Sequence, residues 1–400
     1  MTFNPKDIRK DFPTLNKKLI YFDNASTTQK PIQVINSLKE FYEKYNANVH
    51  RGAYSIAEKA TYKYEKSRTM VSQFINANND EIVFTKNTTE SINIISNSMS
   101  QKLIADDEII ITEMEHHSNI IPWLMLAKKC NVKIKYIPLL KSGKLDIDQL
   151  PSLITPKTKL ISITHMSNVI GVINPIEKII KIAHENEVKV LVDAAQSISH
   201  QKIDVKKINC DFLVFSGHKI LAPSGIGILY SKKKILEELI PLMGGGQMIK
   251  EVTLNNFTYN SIPWKFEAGT PNIAGAIGLG EAINYLNTFD LKELHSYTKD
   301  LCDYLINKLK TIQGITLYPS NLDTIGPVIS FSLKNIHGYD LTKLLDTYGI
   351  CIRSGHHCAQ PILNKYKVNS LNRISLYFYN TKDEIDFFYE KLNKVIKILS

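Results

Sequence analysis

From residue 82 onward, short apolar runs alternate with longer amphipathic stretches. Ile82–Phe84, Glu108–Thr112, Val132–Ile137, Leu160–Thr164, Val188–Asp193, Phe212–Phe215 and Ile226–Tyr230 read as strands. Helical periodicity over Thr88–Ser98, Asn119–Lys129 and Ile176–Glu187 falls between them. Repeated strand–helix–strand units of this length predict a parallel sheet with helices on both faces. Upstream, the pattern predicts a short helix over Pro5–Lys10, a strand over Leu19–Phe22 and helices over Ile32–Tyr45 and Ala57–Ile75. A capping-rich turn, Asp23–Pro31, separates that strand from the first long helix. Downstream come helices over Ile273–Leu286 and Leu291–Thr311. A smaller mixed unit follows, built from Val328–Ser332, Gly338–Tyr348, Ile350–Ile352, Arg373–Tyr377 and Lys382–Leu399. The expected division is a large domain over 21–285 and a small one formed by 1–20 and 286–400.

Composition narrows the class. The 400 residues are 44% hydrophobic and 22% charged, the balance of a soluble globular protein. No apolar run approaches the roughly 20 residues that cross a bilayer, and Met1–Asp7 lacks a signal or transit pattern. These features predict a cytoplasmic protein, or an organellar stromal or matrix protein whose targeting peptide has been removed. The net charge is +10, yet the lysines are scattered and no basic tract is interleaved with aromatics, so neither nucleic acid nor membrane is expected as a partner. The five cysteines include no C-x-x-C pair, which fits free thiols better than disulfides or a zinc ribbon.

Ligands of parallel α/β sheets sit beyond the carboxyl ends of the strands. Five strand-end loops carry chemistry there. Thr85–Glu90 opens a helix and offers the N–H groups and the Thr88 and Thr89 hydroxyls to an anion, or serves as an ordinary cap. Glu113–His117 holds adjacent histidines, whose side chains diverge and lack the spacing of a metal site, so no metal is expected. His116 is better suited to stacking on a flat ligand or to acid–base work. His165–Val169 adds Asn168. Asp193–Gln196 places a carboxylate at a buried strand end, where it needs a cation or a salt bridge. Ser216-Gly-His218-Lys219 sets a lysine between two buried strands, and a buried amine loses its charge easily, as imine formation requires. An anion cradle, a stacking ring, a carboxylate and an amine together suit pyridoxal 5′-phosphate.

The motifs Tyr21–Pro31, Asn48–Gly52, Phe84–Glu90, Glu115–His117, Val192–Gln196, Ser216–Lys219, Gly269–Asn272, Arg353–Pro361 and Arg373–Thr381 occur in this order along nearly the whole chain. In them the sequence resembles the class V branch of the fold type I pyridoxal-phosphate enzymes, and within it the group II (SufS-type) cysteine desulfurases. The resemblance implies an α/β, aminotransferase-like fold with a mostly parallel seven-stranded sheet in the large domain and a smaller α+β domain. It also implies that L-cysteine is converted to L-alanine while its sulfur passes to Cys358 as a persulfide for iron–sulfur cluster assembly. Selenocysteine lyase, or another class V lyase or aminotransferase, is the alternative.

By the same resemblance, Lys219 carries the cofactor and moves the α-proton, Asp193 faces the pyridine nitrogen, Gln196 the phenolic oxygen, and His116 stacks on the ring. Thr88, Thr89, Ser216 and His218 hold the phosphate, with Thr270 supplied by a second subunit of a homodimer. Asn168, Arg353 and Arg373 meet the substrate, Arg373 through its planar fork. The neighbours of Cys358 in Arg353–Pro361 suit an exposed thiol that is available as thiolate. The short loop implies shielded delivery to a SufE- or SufU-like acceptor. Two departures, Ala222 and Asn87, stand where the family usually has glycine, which raises the question of a positive φ at either.

Overall fold

The seven apolar runs from Ile82 onward form one sheet. A computed structural model describes residues 4–16, 19–322 and 325–400. Across the sheet the strands run Ile82–Thr85, Gly227–Ser231, Phe212–Ser216, Lys189–Asp193, Thr158–Thr164, Glu108–Thr112 and Lys133–Ile137. Only Gly227–Ser231 opposes its neighbours. Residues 217–226, which lead into it from Phe212–Ser216, are too few for a parallel crossover, so the chain reverses and keeps Lys219 in the connecting turn. Apart from the partly exposed edge strand Lys133–Ile137, the strands are buried on both faces and read as nearly continuous apolar runs. Successive side chains part between two cores: Phe212 and Val214 join Trp123 and Leu126 on one face, while Leu213 and Phe215 join Leu279 and Ile283 on the other.

A second sheet of four antiparallel strands is ordered Ile315–Tyr318, Val328–Leu333, Leu371–Ser375 and Arg353–Gly355. Helices Leu291–Leu309, Gly338–Asp346 and Lys382–Leu399 cover it with Leu301, Leu305, Leu341, Leu345, Phe388 and Leu392. The chain start packs on this unit: Arg9 pairs with Glu384 at 2.7 Å and the Phe12 ring lies 4.6 Å from that of Tyr379. Ile20–Tyr21 then pairs in parallel with Ile350–Cys351.

The structure differs from the sequence pattern where local geometry overrides it. The helix expected to reach Glu187 stops at His184, because Glu187 turns left-handed (φ 59°) and the Val188 N–H closes on the Ala183 carbonyl. Ile315–Tyr318 and Arg353–Gly355 are edge strands, too short and too mixed in polarity to stand out. The exposed hairpin of Ile249–Val252 and Phe257–Tyr259 is equally silent in the pattern, and it follows the glycine-rich stretch Gly244–Met248.

Candidate active site

Strand ends from the large sheet and a loop from the small one enclose a cavity of about 220 Å³. Of the residues singled out above, Thr88, Thr89, His116, Asn168, Asp193, Gln196, Ser216, His218, Lys219, Arg353, Cys358 and Arg373 all line it. Thr270 does not. It is exposed, and its hydroxyl accepts a 3.4 Å bond from Asn48 Nδ2.

At one end, the helix Thr88–Met99 points its N-terminus into the cavity, capped by Asn87, whose side chain accepts from the Glu90 N–H at 2.9 Å. Ser216 Oγ accepts from the Thr88 N–H at 2.9 Å and lies 2.8 Å from Thr88 Oγ1. Gly227 lets the helix approach this closely, since a Cβ there would come within 2.6 Å of the Asn87 backbone. Exposed N–H groups and hydroxyls at a helix start favour an anion. Asn87 is extended at φ −175°, and the left-handed residues of the following loop are Leu221 and Gly225, so neither Asn87 nor Ala222 needs the glycine usual there.

The Lys219 turn is pinned from beneath. The His218 carbonyl accepts from the Thr28 N–H, the Thr28 hydroxyl and the Lys30 amine, and Ser199 Oγ donates to the Lys219 carbonyl at 2.6 Å. Burial lowers the Lys219 amine to about 8, although the charge of Asp193 opposes the shift. Asp193, almost wholly buried, accepts one hydrogen bond, from the Ala195 N–H at 2.9 Å, and burial raises its carboxyl. Gln196 Nε2 donates to the Ala25 carbonyl.

His116 is a neutral ring. Its Nδ1 accepts from the Ser118 N–H at 3.1 Å, and burial with the nearby Lys219 charge pulls it down to about 3. The proton it carries at neutral pH therefore sits on Nε2. Before it stands Glu115, which the sequence pattern did not single out. This fully buried carboxyl, raised to about 8 by burial, takes bonds from Thr112 Oγ1, Asn119 Nδ2 and the Thr164 N–H at 2.6, 2.6 and 3.0 Å, and ties two strands beneath the His116 turn.

At the opposite end the Arg373 fork is largely engaged. Nη2 reaches Asp23 Oδ1 at 2.8 Å and Ser26 Oγ at 2.7 Å, and Nη1 donates to the Asn168 carbonyl at 3.0 Å. Arg353 Nη1 donates to the same Ser26 hydroxyl at 2.6 Å. Ser26 and Asp23 lay inside the Tyr21–Pro31 motif, but their pairing across some 350 residues carries no local signal.

Cys358 is partly exposed on a loop in which both His357 (φ 51°) and Cys358 (φ 55°) are left-handed. Such backbone costs on the order of 1 kcal/mol per non-glycine residue, and the surroundings hold it in place. The Cys358 carbonyl accepts from the His117 N–H at 2.7 Å, the Cys358 N–H donates to His356 Nδ1, and Asn168 Nδ2 donates to the His357 carbonyl at 2.8 Å. His357 does not supply the positive field the motif suggested. Burial drives His357 down to about 3 and also lowers His117, so the fixed charges at this end are Arg353 and Arg373. Among the described residues, no three His, Cys, Asp or Glu side chains gather as a metal site.

The donor set suits pyridoxal 5′-phosphate: an anion-binding helix start, a lone buried carboxylate, a neutral ring and an amine with lowered basicity share one cavity. The chain belongs to the aminotransferase class-V family, which matches residues 20–388. Its fold is that of fold type I, aminotransferase-like proteins. A cysteine desulfurase of Wigglesworthia glossinidia brevipalpis is 48% identical over 100% of this chain and 99% of its own. Two solved structures cover the full length of both chains: the apo cysteine desulfurase of Thermococcus onnurineus NA1 (39% identity, TM-score 0.96) and the cysteine desulfurase CsdA of Escherichia coli (37%, 0.94).

Proposed function

We propose that this protein is a pyridoxal-phosphate-dependent cysteine desulfurase of the group II kind, releasing L-alanine from L-cysteine and keeping the sulfur as a persulfide on Cys358. The observation that carries this reading is that Cys358, from the small unit, opens into the cavity that holds Lys219 and Asp193 at the strand ends of the large one.

When bound, the cofactor supplies an electron sink that makes the bonds at the substrate α-carbon easier to break. Lys219 holds it and moves the α-proton, which an amine of lowered basicity does near neutral pH. Thr88, Thr89, Ser216 and His218 hold its phosphate, Asp193 and Gln196 meet its ring, and His116 covers it as a neutral imidazole. Arg373, Arg353 and Asn168 orient the substrate carboxylate. Cys358 takes the sulfur as thiolate, the nucleophilic form of the group.

The domains divide near residue 285, as 21–285 against 1–20 with 286–400. Thr270, exposed outside its own chain's cavity, completes the phosphate site of a second copy in a homodimer. The persulfide passes to a SufE- or SufU-like acceptor feeding iron–sulfur assembly. The test is to add L-cysteine to the loaded protein and follow alanine by chromatography and the mass of the Cys358 peptide. Alanine release with a gain of one sulfur on Cys358 is expected. Pyruvate and free sulfide without alanine would overturn the reading.

A further inference from the structure

His357 lines the cavity beside Cys358, and both its nitrogens can be assigned. Nε2 lies 2.9 Å from the Leu371 carbonyl, an acceptor only, so Nε2 carries the hydrogen. Since the ring is held neutral, Nδ1 is a bare lone pair, and it is buried without a partner in a residue about 5% exposed. The charges that bear on the ring are the two guanidiniums, Arg373 and then Arg353, both of them donors, and Cys358 is next in the chain. Arg373 Nε is the other buried atom of this wall without a partner, and it is a donor. A buried acceptor left unpaired costs about 1–3 kcal/mol, so a partner is expected when the site fills.

L-cysteine offers three polar ends. Its carboxylate only accepts, and it matches Arg373. Its amine belongs at the Lys219 end of the cavity. The thiol S–H is the one remaining donor, and it must approach Cys358. We propose that His357 is a specificity residue: Nδ1 accepts the S–H of the substrate and sets its sulfur against Cys358. The inference rests on the desulfurase reading. In the transfer, the Cys358 sulfur forms a bond to the substrate sulfur, the substrate C–S bond breaks with its electron pair going to carbon, and the hydrogen held on Nδ1 stays with the terminal sulfur of the persulfide.

Two substitutions separate the ring's two bonds. In His357→Gln the amide reproduces the Nε2 donor to Leu371 but leaves no acceptor at Nδ1. In His357→Asn the side-chain oxygen occupies the Nδ1 position and the Leu371 bond is lost. The readout is affinity for L-cysteine relative to L-alanine, which lacks the thiol, measured on loaded Cys358→Ala protein so that cysteine is not consumed. The Gln variant should lose about three- to tenfold of the cysteine preference, and the Asn variant should retain it. An unchanged preference in Gln, or an equal loss in both with lowered melting temperatures, overturns the proposal. Should either variant fail to fold, the nitrogen-15 shift of Nδ1 in otherwise unaltered Cys358→Ala protein decides. It should move on binding cysteine and not on binding alanine, and equal movement with both refutes the contact. A wild-type protein that releases no alanine would instead refute the desulfurase reading itself.

Discussion

The turn that carries Lys219 joins two central strands of the large sheet, whereas the loop that carries Cys358 springs from an edge strand of the small one. Lys219 is set by burial: its turn is fixed from below by Thr28, Lys30 and Ser199, and its basicity falls because the amine is desolvated, against the opposing charge of Asp193. Cys358 is partly exposed and is set by backbone, with two left-handed residues clamped by the His117 N–H and the Asn168 amide. One corner gains reactivity from its environment and the other gains position. On the proposed reading this suits both: a base that works by losing charge needs a dry site, while a thiol that passes sulfur onward needs access.

The sharpest way to break this comparison is to remove each group in turn. Lys219→Ala should abolish both the visible cofactor band and alanine release, a loss on the order of 10⁴-fold or more. Cys358→Ala should leave the band intact while alanine release from L-cysteine falls by a similar factor. Absorbance spectra and alanine assays on the two variants check this. If Cys358→Ala also lost the band, the two corners would not be separable.

A smaller effect reads the burial of Lys219 directly. With the amine lowered to about 8, roughly one molecule in ten is uncharged at pH 7, hundreds of times more than for an ordinary lysine near 10.4. Mixing apo protein with pyridoxal phosphate should give a band whose rate of appearance rises with pH and levels off above about 8. The charge of Asp193 holds the Lys219 amine up, so Asp193→Asn should move that midpoint to lower pH. A rate still climbing at pH 10 would show that Lys219 is not desolvated.

Next in size is the anion end. Ser216→Ala removes the acceptor of the Thr88 N–H and the partner of its hydroxyl, so cofactor affinity should weaken about tenfold, or roughly 1.4 kcal/mol. Equilibrium titration of the apo variant measures it. An equal loss of affinity for pyridoxal without its phosphate would place the effect elsewhere.

What could be read from the sequence follows the same division. The large sheet was legible because doubly buried strands are unbroken apolar runs, and Lys219 and Asp193 because they interrupt or end such runs. The Cys358 end was legible only through its motif. Its supports are the Ser26 hydroxyl shared by two arginines, the Asp23–Arg373 pair and the backbone bond from His117, all joining residues hundreds apart. Glu115 escaped for a different reason. A glutamate at a strand end looks like any capping residue until its three donors are seen to converge from two strands and a turn. The neutrality of His357 was also out of reach, since it depends on burial rather than on neighbours in sequence.

The smallest expected effect is also the most selective test of how the Cys358 loop is held. Lys365, on the helix that follows the loop, pairs with Glu113 of the large unit at 3.0 Å. Among the described residues it is the one side-chain ion pair that ties this helix to the His116 turn, and it would be the obvious candidate for docking the loop. Both partners are about a third exposed, however, and Glu113 also accepts the Leu139 N–H, so it stays ordered without the lysine. Exposed pairs contribute about 0.2–1 kcal/mol, screened by salt. Lys365→Ala should therefore lower stability by no more than about 0.5 kcal/mol, and the alkylation rate of Cys358 by iodoacetamide should not change. Cutting the loop's own clamp with Asn168→Ala should speed that alkylation severalfold, because the His357 carbonyl loses its donor beside two left-handed residues. If Lys365→Ala accelerated the reaction as much as Asn168→Ala, the loop would be held by charge between units rather than by its backbone.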